Sequence, residues 1–560
     1  MSVERLITEH FDLWTSAVTY NRDEPELTGI QTLRELILKL AVRGRLVSQD
    51  CEEEPAHLLL ERVRQQRDRL YNEGEIKKSN ALPNLEEHET PYNLPKGWQW
   101  VRFGEIAHPQ PGFAFKSSNF NKVGSGLPVI RIRDVGQAFS QTYYDGDYSE
   151  EYLVEDGEYL VSMDGIFRVA QWKGETALLN QRVSRLIFFS NELSKPFLCR
   201  ALQMELEALQ GTKSYTTVDH LSGKQISQSL VPLPPATEQW RIAQRLDELM
   251  ALCDRLEQQT HDQLEAHETL VDSLLEALTQ SANPNELSEN WARLAEHFDT
   301  LFTTERSIEQ LEQAVLKLAV TGRLSHQDEQ GESASRRLER LGVDKQARGS
   351  EADSLEPETE ARSQRKQRGA ALPPTWGTRP FGDLLDFQGG SQPPKREFTD
   401  TPRDGYVRLL QIRDLGDAPQ PVYVPRHSVS KFCNEQDILV GRYGASVGKV
   451  FWGEEGAYNV ALVKIQNKKQ VYSQQFLYYL LKSPLGQSLF VGINRSAQNG
   501  FKKSDIASRA LPVPPIKEQK RIAAKVEELI QVCRNLKSTL NHTGRVKNHL
   551  ADSLITRVIQ

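Results

Sequence analysis

The chain has 560 residues and a mass of 63.7 kDa, more than one hydrophobic core ordinarily supports, so length alone predicts about three or four domain-sized units. Apolar residues make up 38% and charged residues 26%, and the mean hydropathy is -0.54, which excludes collagen, mucin and membrane classes. The net charge of -7, taken whole, argues against a nucleic-acid partner. No window holds the roughly 18 consecutive apolar residues of a spanning helix. Residues 1–20, with Glu4, Glu9 and Asp12, lack the basic and apolar regions of a signal peptide, so a cytoplasmic protein is expected. The cysteines, Cys51, Cys199, Cys253, Cys433 and Cys533, are odd in number and widely spaced, which indicates neither a disulfide framework nor a zinc knuckle.

An internal repeat changes the meaning of every later motif. Residues 36–46 read LILKLAVRGRL and residues 314–324 read AVLKLAVTGRL, an offset of 278. At the same offset LPKGW from Leu94, followed by Phe103-Gly104-Glu105, returns as LPPTW from Leu372, followed by Phe381-Gly382-Asp383. IRDVG from Ile132 returns as IRDLG from Ile412, and LPPATEQWRIA from Leu233 returns as VPPIKEQKRIA from Val513, both at an offset of 280. Preserved order across these landmarks identifies a tandem duplication.

In chain order, residues 1–93 form an N-terminal helical region with a charged connector. Residues 94–232 form a first globular domain of α+β character, with β-branched and aromatic runs at 128–132 and 183–189. Residues 233–324 are a central helical region, a long helix over 237–280 and a second helix over 291–324. Residues 325–371 are a mobile charged connector with some helix. Residues 372–512 form the second globular domain, with strand signals at 407–412 and 462–465 and a helical run at 473–482. Residues 513–560 close the chain as another long helix.

The two long helices carry matching apolar seams with steps of three and four. The first seam comprises Ile242, Leu246, Leu249, Cys253, Leu256, Leu270 and Leu274. The second comprises Ile522, Val526, Leu529, Cys533, Leu536, Leu540, Leu550 and Leu554. This is the period of a coiled coil, and about 45 residues would span about 67 Å.

Charge is unevenly shared. Residues 94–232 carry 14 basic and 15 acidic side chains, whereas 372–512 carry 18 and 12, a net of +6, leaving -12 for the helices and connectors. The second domain therefore has the electrostatic footprint of a DNA binder.

Catalytic constellations are largely missing. Gly444 to Lys449 has three residues between its glycines where a phosphate-binding loop needs four, and Val450 stands where a magnesium-binding hydroxyl is required. His88-Glu89 and His267-Glu268 lack the second histidine of a zincin helix. The tetrapeptide of an adenine methyltransferase is absent, as are a dinucleotide fingerprint and a nucleophile elbow. The residues describe a binder and not an enzyme, with no metal site.

Together these landmarks resemble the DNA-specificity subunit of type I restriction-modification systems. The resemblance rests on LPKGWQWVRFGEI from Leu94, GFAFKSSNF from Gly112, GLPVIRIRDV from Gly126, YLVSMDG from Tyr159, LLNQRV from Leu178 and LVPLPPATEQWRIAQRLDEL from Leu230. In the second copy it rests on FQGGSQPPK from Phe387, LLQIRDLG from Leu409 and LPVPPIKEQKRIAAKVEEL from Leu511. It covers nearly the whole chain, and its most specific element is the doubled P-P-x-x-E-Q-x-R-I-A.

The resemblance implies an α+β chain with two tandem α/β target recognition domains separated by two long antiparallel coiled-coil helices. Each domain would read one half of a bipartite, asymmetric site on double-stranded DNA. It further implies two DNA methyltransferase (modification) subunits docked on the helices, and restriction/translocase subunits. No cofactor is expected in this subunit; S-adenosylmethionine, ATP and Mg belong to the partners. The alternative is a coiled-coil scaffold without DNA specificity.

Positions identical in both copies cannot distinguish two half-sites. Trp98/Trp376, Phe103/Phe381, Arg133-Asp134/Arg413-Asp414 and Gly165/Gly444 are therefore expected as scaffold or phosphate-positioning residues. Readout is expected from positions that differ: Lys116, Arg168, Gln171, Lys173, Gln181, Arg182, Lys213 and Tyr215 in the first domain. In the second they are Lys395, Arg396, Arg442, Ser446, Lys449, Arg495, Gln498, Asn499, Lys502 and Lys503. Arginine and lysine suit guanine O6 and N7, glutamine and asparagine the adenine edge.

Overall fold

The computed structural model describes residues 3–16, 19–21, 24–78, 81–211, 220–325, 332–343, 372–416, 419–491 and 500–559. The chain divides into two compact units, Met1–His261 with Gly544–Gln560, and Asp262–Thr543. Both long helices, Ala236–Gln280 and Ile516–Ile559, are shared between units. One unit takes the start of the first helix with the end of the second, and the other takes the remainder. No helix among the described residues is long and apolar enough to cross a membrane.

In the first unit the helix Thr28–Val42 buries Ile30, Leu33, Leu36, Ile37 and Leu40 along one stripe. It ends at Gly44, whose φ of +66° lets Arg45 N–H reach back to the Leu40 carbonyl at 2.9 Å. A Cβ on Gly44 would lie 2.5 Å from Pro95 Cγ and 3.0 Å from Trp98. Gly322 repeats both features in the second unit, with φ +75° and a virtual Cβ 2.5 Å from Pro373 Cγ. The repeated A-V-x-G-R-L and L-P-x-x-W landmarks are thus two sides of one contact, which only glycine permits.

Each globular domain is closed by its own ends. Strand Gln99–Arg102 pairs antiparallel with Leu230–Leu233, and Gly377–Pro380 with Ala510–Val513. Between these ends the first domain has two sheets. One is a four-stranded antiparallel sheet of Val169–Gln171, Tyr159–Ser162, Val183–Phe188 and Ala107–Pro111; the other is five-stranded and contains one parallel pair, Leu178 opposite Val129. The second domain repeats the plan with two four-stranded sheets, and Leu409 opposite Ala457 forms its parallel pair. Ser473, at the head of the expected helical run, caps the helix Gln474–Lys482 from outside by accepting from Phe476 N–H.

The doubled Glu-Gln fastens each domain to its long helix. Gln239 accepts from Ser194 N–H at 2.9 Å and donates to the Pro234 carbonyl at 2.9 Å, so it ties the helix Lys195–Gly211 to the start of the long helix. Gln519 likewise accepts from Ser473 N–H at 2.7 Å and donates to Pro514 at 2.9 Å. Glu238, also buried, accepts from Trp98 Nε1 at 2.9 Å and from Gln49.

Two expectations are corrected. The single helix expected over 291–324 is broken into Pro284–Glu296, Phe298–Leu301 and Glu305–Val320, because Thr304 takes an extended conformation and caps the last of these through Ser307 N–H. The seams also turn away from the expected register. Ile242, Leu246, Leu249, Cys253 and Leu256 are buried, as are Ile522, Val526 and Cys533, while Leu529, Leu536 and Leu540 pack at the edge. Leu270 and Leu550 are instead 51% and 56% exposed, and Val271, Leu275, Leu278, Ala551 and Ile555 are buried. Leu274 and Leu554 are half-buried beside them. From Ile242 to Leu278 the buried and half-buried positions advance 36 residues in ten steps, through Thr260, Leu264 and His267, which is the 3.6-residue period of an α-helix rather than the 3.5 of a coiled coil. A 3.5-residue extrapolation across those polar positions arrives one residue early. Of the connector at 325–371, the described part contains a short helix, Ala334–Arg340, and most of the rest lies outside the described residues.

Candidate nucleic-acid interface

Four segments converge in the first domain. The segment after strand Ala107–Pro111 meets the turn at 180–182 through Gln181 N–H to the Phe113 carbonyl, 2.9 Å. That turn meets the tip at 163–168 through Met163 N–H to the Arg182 carbonyl, 2.9 Å, and the tip meets residue 221 through Leu221 N–H to the Met163 carbonyl, 2.7 Å. Close approach at the first contact demands Gly112, since a Cβ there would stand 2.3 Å from the Asn180 carbonyl oxygen. The second domain has the same framework. Gly390 lies against Asn459, where a Cβ would be at 2.1 Å, and Arg442 N–H donates to the Ala461 carbonyl at 2.9 Å.

Side chains on this framework differ between copies. In the first, Arg182 Nε is 3.3 Å from Asp164 Oδ2, and Asp164 Oδ1 is 2.6 Å from His220 Nδ1. Ile166, at the tip, is 74% exposed. In the second, Arg442 holds its guanidinium 5.4 Å from the Tyr443 ring centroid and directs Nε to the Phe501 carbonyl at 3.4 Å.

The remaining candidates divide by what holds them. Lys116, Lys173, Gln181, Lys395, Arg396, Arg413, Lys449 and Lys502 are exposed, and Ser446 is half-buried in the turn that carries Arg442. Arg133 is exposed and donates to Thr142 Oγ1 at 3.4 Å, and Arg168 is exposed and donates to the Val135 carbonyl at 3.4 Å. Gln171 and Lys173 are not brought to the loop cluster. They line a cleft of about 520 Å³ with Leu38, Arg200 and Met250 of the helices, because Gln171 ends the strand whose other end follows Arg168, about 10 Å away at 3.3 Å per residue. Gln171 is further committed to the Gly157 carbonyl at 3.1 Å. Lys503, one of the readout candidates, is paired with Asp386 at 2.7 Å. Lys213, Tyr215, Arg495, Gln498 and Asn499 lie outside the described residues.

Sequence reasoning missed Asp164 and His220, which are 56 residues apart and joined only by the fold. Their single signal was position: at offsets of 279 and 280 they correspond to Tyr443 and Gly500, so they belong to the differing set.

The family described as Type I restriction modification DNA specificity domain matches residues 95–266 and again 373–543. The chain belongs to this family. Its relatives include the Escherichia coli type I restriction enzyme EcoAI specificity subunit, 31% identical with 100% of both chains covered. The EcoEI specificity subunit of the same organism is 29% identical over 99% of each chain. Among solved structures, the HsdS subunit from Thermoanaerobacter tengcongensis is 18% identical, with 84% of this chain and 98% of that one covered, at a TM-score of 0.36. The two family segments each begin at the domain-closing strand region and run into a long helix, so in this family member the specificity unit is a reader with its helix, used twice. A coiled-coil scaffold without DNA specificity leaves that doubled match without an explanation.

Proposed function

We propose that the chain is the non-catalytic specificity subunit of a cytoplasmic type I restriction-modification complex. Its two domains read the two halves of a bipartite, asymmetric site in double-stranded DNA. The observation that carries this reading is the doubling itself: one loop framework occurs twice, with Arg182, Asp164 and His220 on one copy and Arg442 and Tyr443 on the other. Identical scaffolds with different side chains recognise different sequences.

Two methyltransferase subunits docked on the acidic helical regions would supply adenine methylation with S-adenosylmethionine. Restriction/translocase subunits would supply ATP- and Mg-dependent movement and cleavage. Half-site centres on one face of the duplex should lie about 34–36 Å apart, one helical turn. The test is to map methylated adenines in DNA from cells expressing the chain with its modification partner. Two short motifs at fixed spacing are expected, and a single contiguous palindrome would overturn the two-reader model.

A further inference from the structure

We infer that Arg182 reads a guanine in the half-site bound by the first domain, and that Asp164 and His220 are positioning residues that aim it. This inference rests on the proposed function and deepens it for one site.

The geometry begins with a proton that cannot be shared. His220 Nδ1 lies 2.6 Å from Asp164 Oδ1 and 3.3 Å from Arg182 Nη1. One ring nitrogen either donates or accepts. The shorter contact takes the proton, so Nδ1–H donates to Asp164 and Arg182 Nη1 has no acceptor on the ring. Asp164 then uses its other oxygen for Arg182 Nε at 3.3 Å. The Asp164 side chain is only 19% exposed, whereas that of Arg182 is 49% exposed. The carboxylate is therefore a half-sunken anchor holding one edge of the guanidinium, while the two terminal nitrogens remain for a bidentate acceptor. A planar fork with its Nε edge fixed matches guanine O6 and N7, the commonest specific arginine contact in the major groove.

Backbone geometry isolates the chemistry from the scaffold. The Met163 to Arg182 backbone bond and the Arg442 to Ala461 bond are both 2.9 Å at equivalent places. Where the first copy has Asp164, Arg182 and His220, the second has Tyr443, Ala461 and Gly500. The charged triad is thus dispensable for the loop framework. In the second copy the guanidinium at this framework comes from the neighbouring position, Arg442, which is half-buried and held by an aromatic ring and a carbonyl rather than by a carboxylate.

The test uses the assembled complex of the chain with its modification partner. Its probes are duplexes carrying the mapped site with each base pair of both half-sites replaced in turn. The unaltered complex should discriminate at a G·C pair in the first half-site. R182A should lose about tenfold of that discrimination at that one pair. D164A should lose a similar amount at the same pair, D164N should recover part of it, and the double variant should lose no more than R182A alone. Discrimination across the second half-site and the dependence of binding on salt should stay unchanged in D164A. Equal weakening of D164A on every duplex, no change at any pair, or a first half-site without a G·C pair would overturn the inference. Failure of the unaltered complex to discriminate at either half-site would overturn the proposed function itself.

Discussion

Lys503 shows how a local ion pair changes the meaning of a basic residue. Its ammonium is 2.7 Å from Asp386, and although burial opposes ionisation of that carboxyl, the bond from Lys503 holds it below its ordinary range. Lys502, exposed at the preceding position, donates its backbone N–H to Asp505 Oδ2 at 2.7 Å, while its ammonium has no partner among the described residues. Lys502→Ala, Lys449→Ala and Lys395→Ala should weaken binding to all sequences and each flatten the slope of log affinity against log salt by about 0.9 for a phosphate lost. Lys503→Ala should change that slope less and thermal stability more. Titration with random duplex at several salt concentrations, alongside melting curves, separates the two. Glu238 offers a pH test. Burial raises its carboxyl above the ordinary 4.5, against the opposing bonds from Trp98 and Gln49. The neutral form is therefore favoured by folding, and stability falls as pH rises from 4.5 through the raised value. Glu238→Gln should lack this loss. The urea midpoint of the unaltered protein should fall relative to the variant across that window and level off above it.

At the scale of elements, the seam and the helix-ending glycines make opposite claims about similar residues. Leu270 looks like core by spacing yet is 51% exposed, so Leu270→Ala should shift stability by no more than about 0.5 kcal/mol. Leu275, 5% exposed in the same helix, should cost about 2–5 kcal/mol when cut to alanine. Equal effects in denaturant melts would restore the 3.5-residue register. Gly44→Ala and Gly322→Ala combine a positive φ with a backbone-fixed clash near a proline ring. Each should destabilise by about 1–3 kcal/mol, measured in the same melts. The glycines were legible in the sequence because the duplication keeps glycine, proline and tryptophan at both places where this contact forms. Seam register beyond Leu256 was not, because Thr260 and His267 interrupt the apolar pattern that carries phase information.

At the scale of the whole molecule, each reader enters and leaves through one antiparallel pair, Gln99–Arg102 with Leu230–Leu233 and Gly377–Pro380 with Ala510–Val513. Interchanging residues 99–233 with 377–513 within one chain should therefore leave the helices and their fastenings in place. The expected outcome is the original pair of half-sites in exchanged order, read by mapping methylated adenines. Retention of the original order would show that specificity resides outside these segments.

The sequence by itself determined the duplication, the segments that read and the segments that separate them, and the uneven charge hidden within a net of -7. These are properties of composition and of landmarks recurring at 278 and 280 residues, and no coordinates are needed to see them. Only the tertiary structure decided which basic side chains are free, that Gln171 and Lys173 face a helical cleft, and that Asp164, Arg182 and His220 form one cluster. The physical reason is separation along the chain. Periodicity records which face of one element is buried, whereas the aim of a side chain at a loop tip is set by partners that strand pairing delivers from tens of residues away.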